Sequence, residues 1–227
     1  ELRVMAHISQ DETLISAFRR GLDIHQATAA TVHGIEPEDV TYEQRSFAKR
    51  VNFGLMYGMG AFRLARDSEL TLAEAEDFIA TYFERMPGVE RYIEDTKAFV
   101  WEHGYTETLY GRRREYPSIK GGQRSRSTAA EERAAINMPI QGTAADILKQ
   151  SMLNLYDRLN QESYDATMIL QVHDELVLEV KEDEIEAVKD LVVETMEDAF
   201  PDGKPLLAPL KANASFGKNW RDMEDVE

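Results

Sequence analysis

Residues 166–180 are apolar and largely β-branched, except for Gln171, His173-Asp174-Glu175 and Glu179. An apolar run split by a tight polar turn reads as two buried strands folded back on each other. That hairpin sets an antiparallel pair into a chain whose other long segments carry helical signals. The fold class expected is therefore α+β: mainly helical, with part of an antiparallel sheet carrying helices.

The helical signals are local and specific. Residues 2–17 place apolar side chains at helical spacing, with a break near Gln10-Asp11. Asp23 can cap a helix over 24–32 that Gly34 ends. Thr41 with Gln44, and Thr71 with Glu74, form capping-box starts for helices reaching about Tyr57 and Arg85. Met86-Pro87-Gly88 reads as a turn, and the next helix closes at Gly104. Residues 105–110, rich in Thr and Tyr, read as a strand. Gly121-Gly122 and the Ser-Arg repeats read as a polar loop. Residues 128–160 form a long Ala-rich helical region, expected to be interrupted at Pro139 and Gly142. An amphipathic helix over 181–200 and a short strand over 210–215 complete the pattern. There is no internal repeat and no low-complexity linker.

Composition removes several classes of chemistry. The 227 residues include no cysteine, which excludes disulfides, cysteine zinc sites, iron–sulfur clusters and a thiol nucleophile. No stretch approaches the roughly 20 uncharged apolar residues that span a bilayer, so no membrane partner is expected. The chain begins with Glu1, and nothing at this end resembles a signal or transit peptide. The net charge of -16 argues against binding a polyanion by the overall field. The charge is uneven, however. Residues 181–227 hold 13 acidic and 6 basic side chains, whereas residues 105–126 hold 6 basic and 2 acidic. The second stretch suits phosphate contacts at a cleft, and equally a solvated face.

Two groups of residues could carry chemistry. Arg45, Lys49, Phe53 and Tyr57 follow one another four apart, so they share a slowly drifting helix face. Two cations followed by two aromatics suit a polyphosphate with a sugar and base beyond it. The same pattern also describes two surface cations and two core aromatics. His173-Asp174-Glu175 puts carboxylates where a sheet ends, a good place for a hard cation such as Mg²⁺. Asp is also simply a favoured turn residue.

Longer motifs join these groups. Lys49-Arg50-Val51-Asn52-Phe53-Gly54-Leu55-Met56-Tyr57-Gly58 resembles the fingers-helix motif of family A DNA polymerases. Leu170-Gln171-Val172-His173-Asp174-Glu175-Leu176-Val177-Leu178-Glu179 resembles the palm carboxylate motif of that family. Asn137-Met138-Pro139-Ile140-Gln141-Gly142-Thr143-Ala144-Ala145-Asp146 and Gly111-Arg112-Arg113-Arg114 resemble two further blocks. The blocks stand in the family's order, and the resemblance covers essentially the whole chain.

The resemblance implies roles. Lys49 and Arg45 would grip the triphosphate of the incoming dNTP, and His25 would touch the same phosphates. Phe53 would pack on the sugar, and Phe-bearing members of the family tend to reject dideoxynucleotides. Tyr57 would sit beside the nascent base pair, and Glu1 would match the steric gate against a ribose 2′-OH. Asp174 would hold two Mg²⁺ ions, with Glu175 in support and His173 near the primer terminus. Asn137 and Gln141 would reach the minor groove or the terminal base pair. Arg112 would contact the primer–template DNA, with Arg113 and Arg114 less clearly placed.

The resemblance also sets the organisation expected. Residues 1–20 would begin the palm-to-fingers region, 21–104 would form the fingers, and 105–227 the C-terminal palm. The family's first palm motif reads Asp-Tyr-Ser-Gln-Ile-Glu-Leu-Arg, whereas this chain starts at Glu1-Leu2-Arg3. The second metal-binding Asp would thus lie upstream of Glu1, so the chain alone is expected to be inactive. Phe216-Gly217-Lys218-Asn219-Trp220 resembles the family's usual ending. The partners implied are primer–template DNA, dNTPs and an N-terminal part bearing the rest of the palm, the thumb and possible exonuclease domains. The location implied is the bacterial cytoplasm, at the nucleoid, or a phage-infected host. A single-subunit RNA polymerase fragment is an alternative, although such enzymes usually carry Tyr at the place of Phe53 and Ser at that of Glu175. A non-catalytic nucleic-acid-binding module is another.

Overall fold

The computed structural model describes every residue except Tyr57, Glu69, Arg124 and Glu227, and the backbone alone at Asp202, Asp225 and Val226. The role expected for Tyr57 therefore lies outside the described residues. Contacts divide the chain into two compact units. One is Glu1–Thr143 with Leu206–Ala208; the other is Ala144–Pro205 with Pro209–Glu227.

The first unit opens with seven helices: α1 (Leu2–Ser9), α2 (Glu12–Arg19), α3 (Ile24–His33), α4 (Tyr42–Met56), α5 (Ala61–Arg66), α6 (Leu72–Arg85) and α7 (Pro87–His103). Their apolar faces supply the core, with Val4, Met5, Leu14, Val51, Leu55, Met56, Tyr82 and Val89 buried. The break after α1 is built by Gln10, at φ 51°, and by Asp11. Asp11 Oδ1 accepts from the Thr13 and Leu14 N–H groups, which caps α2. Its Oδ2 accepts from Gly88 N at 2.9 Å. A Cβ on Gly88 would stand 2.8 Å from Asp11 Cα, so only glycine permits this approach. The expected turn at 86–88 is thus the start of α7, with Pro87 in its first turn. Both capping boxes form: Thr41 N donates to Gln44 Oε1 at 2.9 Å, and Thr71 N to Glu74 Oε2 at 2.8 Å.

After Gly104 come β1 (Tyr105–Glu107), β2 (Arg113–Glu115) and α8 (Pro117–Lys120). The strand expected over 105–110 stops at Glu107. Residues 108–112 turn instead, through Gly111 N to Thr108 O at 2.9 Å, with Gly111 at φ 76°. α8 lies before the loop read from the sequence, and its first N–H groups are taken by Glu131, as Ser118 N and Ile119 N both donate to that carboxylate.

α9 (Arg126–Gln161) runs without interruption, contrary to the breaks expected at Pro139 and Gly142. Pro139 removes the N–H that would bond Ala135 C=O. Neighbouring carbonyls find donors outside the helix: Tyr92 Oη donates to Ile136 O at 2.6 Å, and Tyr116 Oη to Ala134 O at 3.2 Å. Ala135, Ile136, Met138 and Ile140 are buried, so packing holds the helix through the proline.

The second unit combines the remainder of α9 with β3 (Ala166–Val172), β4 (Glu175–Val180), α10 (Ile185–Glu197), β5 (Ala214–Phe216) and β6 (Glu224–Val226). Leu155 and Leu159 of α9 meet Val188 and Leu191 of α10 and one face of the hairpin, including Met168, Leu176 and Leu178. β3 and β4 pair antiparallel from Ala166↔Val180 to Val172↔Glu175, with a register shift between Met168 and Leu170. They are less buried than a run of apolar residues suggests: Ile169 and Leu170 are 44% and 47% exposed. Helices cover one face of the hairpin, and the shift turns adjacent apolar residues outward. The last strand lies at 214–216 rather than 210–215 and pairs with 224–226. The α+β class stands, as helices with, among the described residues, three two-stranded antiparallel ladders. Among the described residues no helix is long and apolar enough to cross a membrane.

Candidate functional site

α3 and α4 pack together and bring His25, Arg45, Lys49 and Phe53 into one neighbourhood. Asp23 organises it. Its Oδ1 caps α3 by accepting from His25 N and Gln26 N at 2.9 and 3.0 Å. Its Oδ2 accepts from Arg45 Nε and Nη2 at 2.8 and 2.6 Å. Burial opposes ionisation of Asp23, but the Gln26 N–H, the Arg45 guanidinium and the His25 N–H outweigh it and hold its pKa below the ordinary value. Arg45 is therefore committed on one side, while guanidinium donors remain. Lys49, one turn further along α4, is exposed and has no hydrogen bond or ion pair among the described residues.

His25 is half-buried rather than a plain surface histidine. The Phe53 ring lies 5.8 Å from its own, tilted by 48°. Burial lowers the His25 pKa; Asp23 raises it, and Arg45 and Lys49 lower it further, so the net shift is downward. Phe53 is half-buried at the next turn after Lys49. Glu1 is exposed at the N-cap position of α1.

A second group surrounds the β1–β2 turn and α9. Arg112 is exposed, and its Nη2 donates to Gly142 O at 3.1 Å. A Cβ on Gly142 would come within 2.6 Å of Thr108 Cγ2, so glycine lets the turn sit against the helix. Leu109 N donates to Thr143 Oγ1 at 3.0 Å and fixes the same approach. Arg113 is paired with Glu107 at 2.9 Å and lies over the Tyr105 ring, while Arg114 lies over Tyr116. Arg112 reaches α9 at Gly142, and Arg114 lies near Glu131 of the same helix. Asn137 and Gln141 share a face of the unbroken helix. Gln141 is exposed, and Asn137 Oδ1 is buried with no hydrogen-bond partner among the described residues. A buried acceptor left open is costly, and in a native site it points to a ligand or a water.

In the second unit, His173 and Asp174 form the two-residue turn between β3 and β4, and Glu175 begins β4. His173 has φ 53°, a left-handed conformation uncommon outside glycine. Gln171 Nε2 donates to His173 O at 2.7 Å and braces the turn. His173, Asp174 and Glu175 are all exposed. Among the described residues no three His, Asp or Glu side chains gather closely enough to hold a metal by themselves. Adjacent exposed carboxylates do match the partial oxygen shell that Mg²⁺ takes from protein when phosphates and water supply the rest.

Residues absent from the sequence reading complete the picture. Asn52 and Thr28 lie buried beneath His25. Arg133 stands one turn before Asn137, exposed at its tip, with its stem packed on Gly58. Its spacing to Asn137 and Gln141 was the available signal. For Asn52 the signal was one amide on an otherwise apolar helix face.

The comparisons with known proteins agree with these motifs. The family model for DNA polymerase family A matches residues 1–222. The chain is 48% identical over 220 residues to DNA polymerase I of Pseudomonas aeruginosa, covering 97% of this chain and 24% of that protein. It is likewise 48% identical over 220 residues to the thermostable DNA polymerase I of Thermus filiformis, covering 97% and 26%. The chain thus spans about a quarter of the length of these relatives. Among solved structures, the POL domain of Pol1 from M. smegmatis, in complex with DNA primer-template and dNTP, superposes with a TM-score of 0.87 at 39% identity, over 92% of this chain and 36% of that one. A family model covering nearly the whole chain, with relatives near half identity, settles its membership: the chain belongs to DNA polymerase family A.

Proposed function

We propose that this chain serves template-directed DNA synthesis, adding dNTPs to a primer 3′-OH as the C-terminal part of a larger polymerase. The observation that carries the reading is the α3–α4 face, where Lys49 is exposed beside Arg45, His25 and Phe53 and, among the described residues, without an ion pair. Residues 21–104 act as fingers and residues 105–227 as palm. Lys49 serves as a point charge on the triphosphate and Arg45 as a fork steadied by Asp23. Phe53 lies against the sugar, with Glu1 excluding a ribose 2′-OH. Arg112, Asn137, Gln141 and Arg133 hold the duplex by its backbone and minor-groove edges, which checks shape without reading sequence. His173 lies near the primer terminus.

Asp174 and Glu175 are the residues that would hold Mg²⁺. Bound there, it supplies neutralisation of charge on the phosphoryl oxygens. The carboxylates themselves keep acceptor oxygens at the end of a braced hairpin, so little reorganisation is needed on binding.

The test is primer extension by the assembled polymerase carrying Asp174→Asn. Extension should fall by at least about a thousandfold, while dNTP and primer–template affinities stay within about threefold. Extension at the wild-type rate would refute the reading.

A further inference from the structure

Asn52 is 1% exposed on the inner side of α4. Its Nδ2 lies 3.2 Å from His25 Nδ1 and 3.0 Å from Thr28 Oγ1. The Thr28 hydroxyl donates its hydrogen to Ile24 O at 2.8 Å. The same hydroxyl lies 3.2 Å from Asn52 Oδ1; with its hydrogen on the shorter bond to Ile24 O, its oxygen accepts from Asn52 Nδ2. One amide hydrogen of Asn52 goes to Thr28, and the other is directed at His25. A donor in that place needs a lone pair on Nδ1. With the amide in this orientation the neutral ring carries its hydrogen on Nε2, since a proton on Nδ1 would face N–H against N–H.

The surroundings of His25 act on balance in the same direction: burial opposes the charged ring, Asp23 favours it, and Arg45 and Lys49 oppose it. α3 contributes Asp23, and α4 contributes Arg45 and Lys49. Asp23 is already shared between its helix cap and Arg45, so two cations and burial oppose a charged imidazole.

We infer that Asn52 is a positioning residue for nucleotide binding: through Nδ1 it holds His25 as the neutral tautomer, so that the ring offers Nε2–H to the triphosphate beside Lys49. The inference rests on the nucleotide reading of the α3–α4 face. It adds a donor to a site already carrying two cations without adding a third charge. It also makes the contribution of His25 insensitive to pH in the physiological range.

The experiment combines ¹⁵N imidazole NMR with dATP titration on the 227-residue chain, its Asn52→Asp variant, and Asn52→Asp combined with His25→Gln. In the wild type, His25 should be the Nε2–H tautomer at about pH 7.5, with a midpoint below the ordinary 6.5. Asn52→Asp keeps the shape but replaces the donor by an acceptor. The His25 midpoint should then rise. Below it the charged ring still donates from Nε2; above it the remaining hydrogen sits on Nδ1 and Nε2 is bare. Affinity for dATP in Asn52→Asp should therefore fall about tenfold as pH rises through the midpoint read in the same sample. Wild type and the double variant should change by less than about twofold over that span.

A wild-type ring with its hydrogen on Nδ1, or charged at about pH 7.5, would overturn the inference, and that spectrum decides even if Asn52→Asp does not fold. A pH-independent affinity in Asn52→Asp would also overturn it. Failure of the wild type to bind dATP while showing the Nε2–H tautomer would refute the nucleotide reading instead, leaving the hold of Asn52 on the ring intact.

Discussion

Arg45 and Lys49 stand one turn apart on α4 in different electrostatic settings. Arg45 is tied to Asp23 by two hydrogen bonds, whereas Lys49 extends into solvent without a partner among the described residues. An anion arriving at this face meets one oriented fork and one solvent-exposed charge, so loss of Lys49 removes attraction without freeing the half-buried carboxylate of Asp23. On the nucleotide reading proposed above, Phe53, one turn on, would set sugar selection. A phenyl ring brings no hydroxyl to the 3′ region of a bound nucleotide, so the substrate's own 3′-OH must make that contact. Sites built on a substrate hydroxyl reject its absence strongly. The polymerase should prefer dATP over its dideoxy analogue by on the order of a thousandfold, and Phe53→Tyr should remove most of that preference. The ratio of kcat/KM for the two substrates in both proteins checks this. An unchanged ratio would mean that Phe53 is a core aromatic.

Among the elements, the starts of α2 and α7 form a close junction, where one carboxylate serves two helices. Asp11 is 2% exposed, caps α2 and accepts from Gly88 N. Asp11→Ala should lose a cap worth about 1 kcal/mol and leave a buried N–H costing about 1–3. A loss of about 2–4 kcal/mol is expected in urea unfolding monitored by circular dichroism; a loss below about 0.5 kcal/mol would show that water replaces the carboxylate. Asp11 also shows what the sequence discloses. A cap and its box lie within four residues, so the starts at Asp23, Thr41 and Thr71 were legible, whereas Gln10-Asp11 read only as a break. The support for Pro139 was not, because it comes from the hydroxyls of Tyr92 and Tyr116, far away in sequence. α8 was missed for the same reason, since its partner is Glu131. The burial of β3 was overread because an apolar run does not say how many faces are covered. At the site, Arg45, Lys49 and Phe53 were visible by spacing along one helix. Asn52 was not, because its meaning depends on His25 and Thr28 of another helix.

At the scale of the whole molecule, 26 Lys and Arg side chains stand among 42 Asp and Glu, for a net charge of -16, so the pairing of each cation decides what it can hold. Lys49 on α4 has no ion pair among the described residues and Arg112 stands on the β1–β2 turn, while Arg45, Arg113, Arg158 and Lys189 are each paired with a carboxylate. Such a distribution favours contact at particular phosphates over attraction by the overall field. It also predicts that nucleotide and duplex are held by separable residues. The direct measurement is single-nucleotide incorporation by the assembled polymerase carrying Lys49→Ala, with primer–template affinity determined on the same protein. Incorporation efficiency should fall by about a hundredfold or more, while DNA affinity changes by less than about twofold. Equal losses in both would contradict the assignment of the α3–α4 face to the nucleotide.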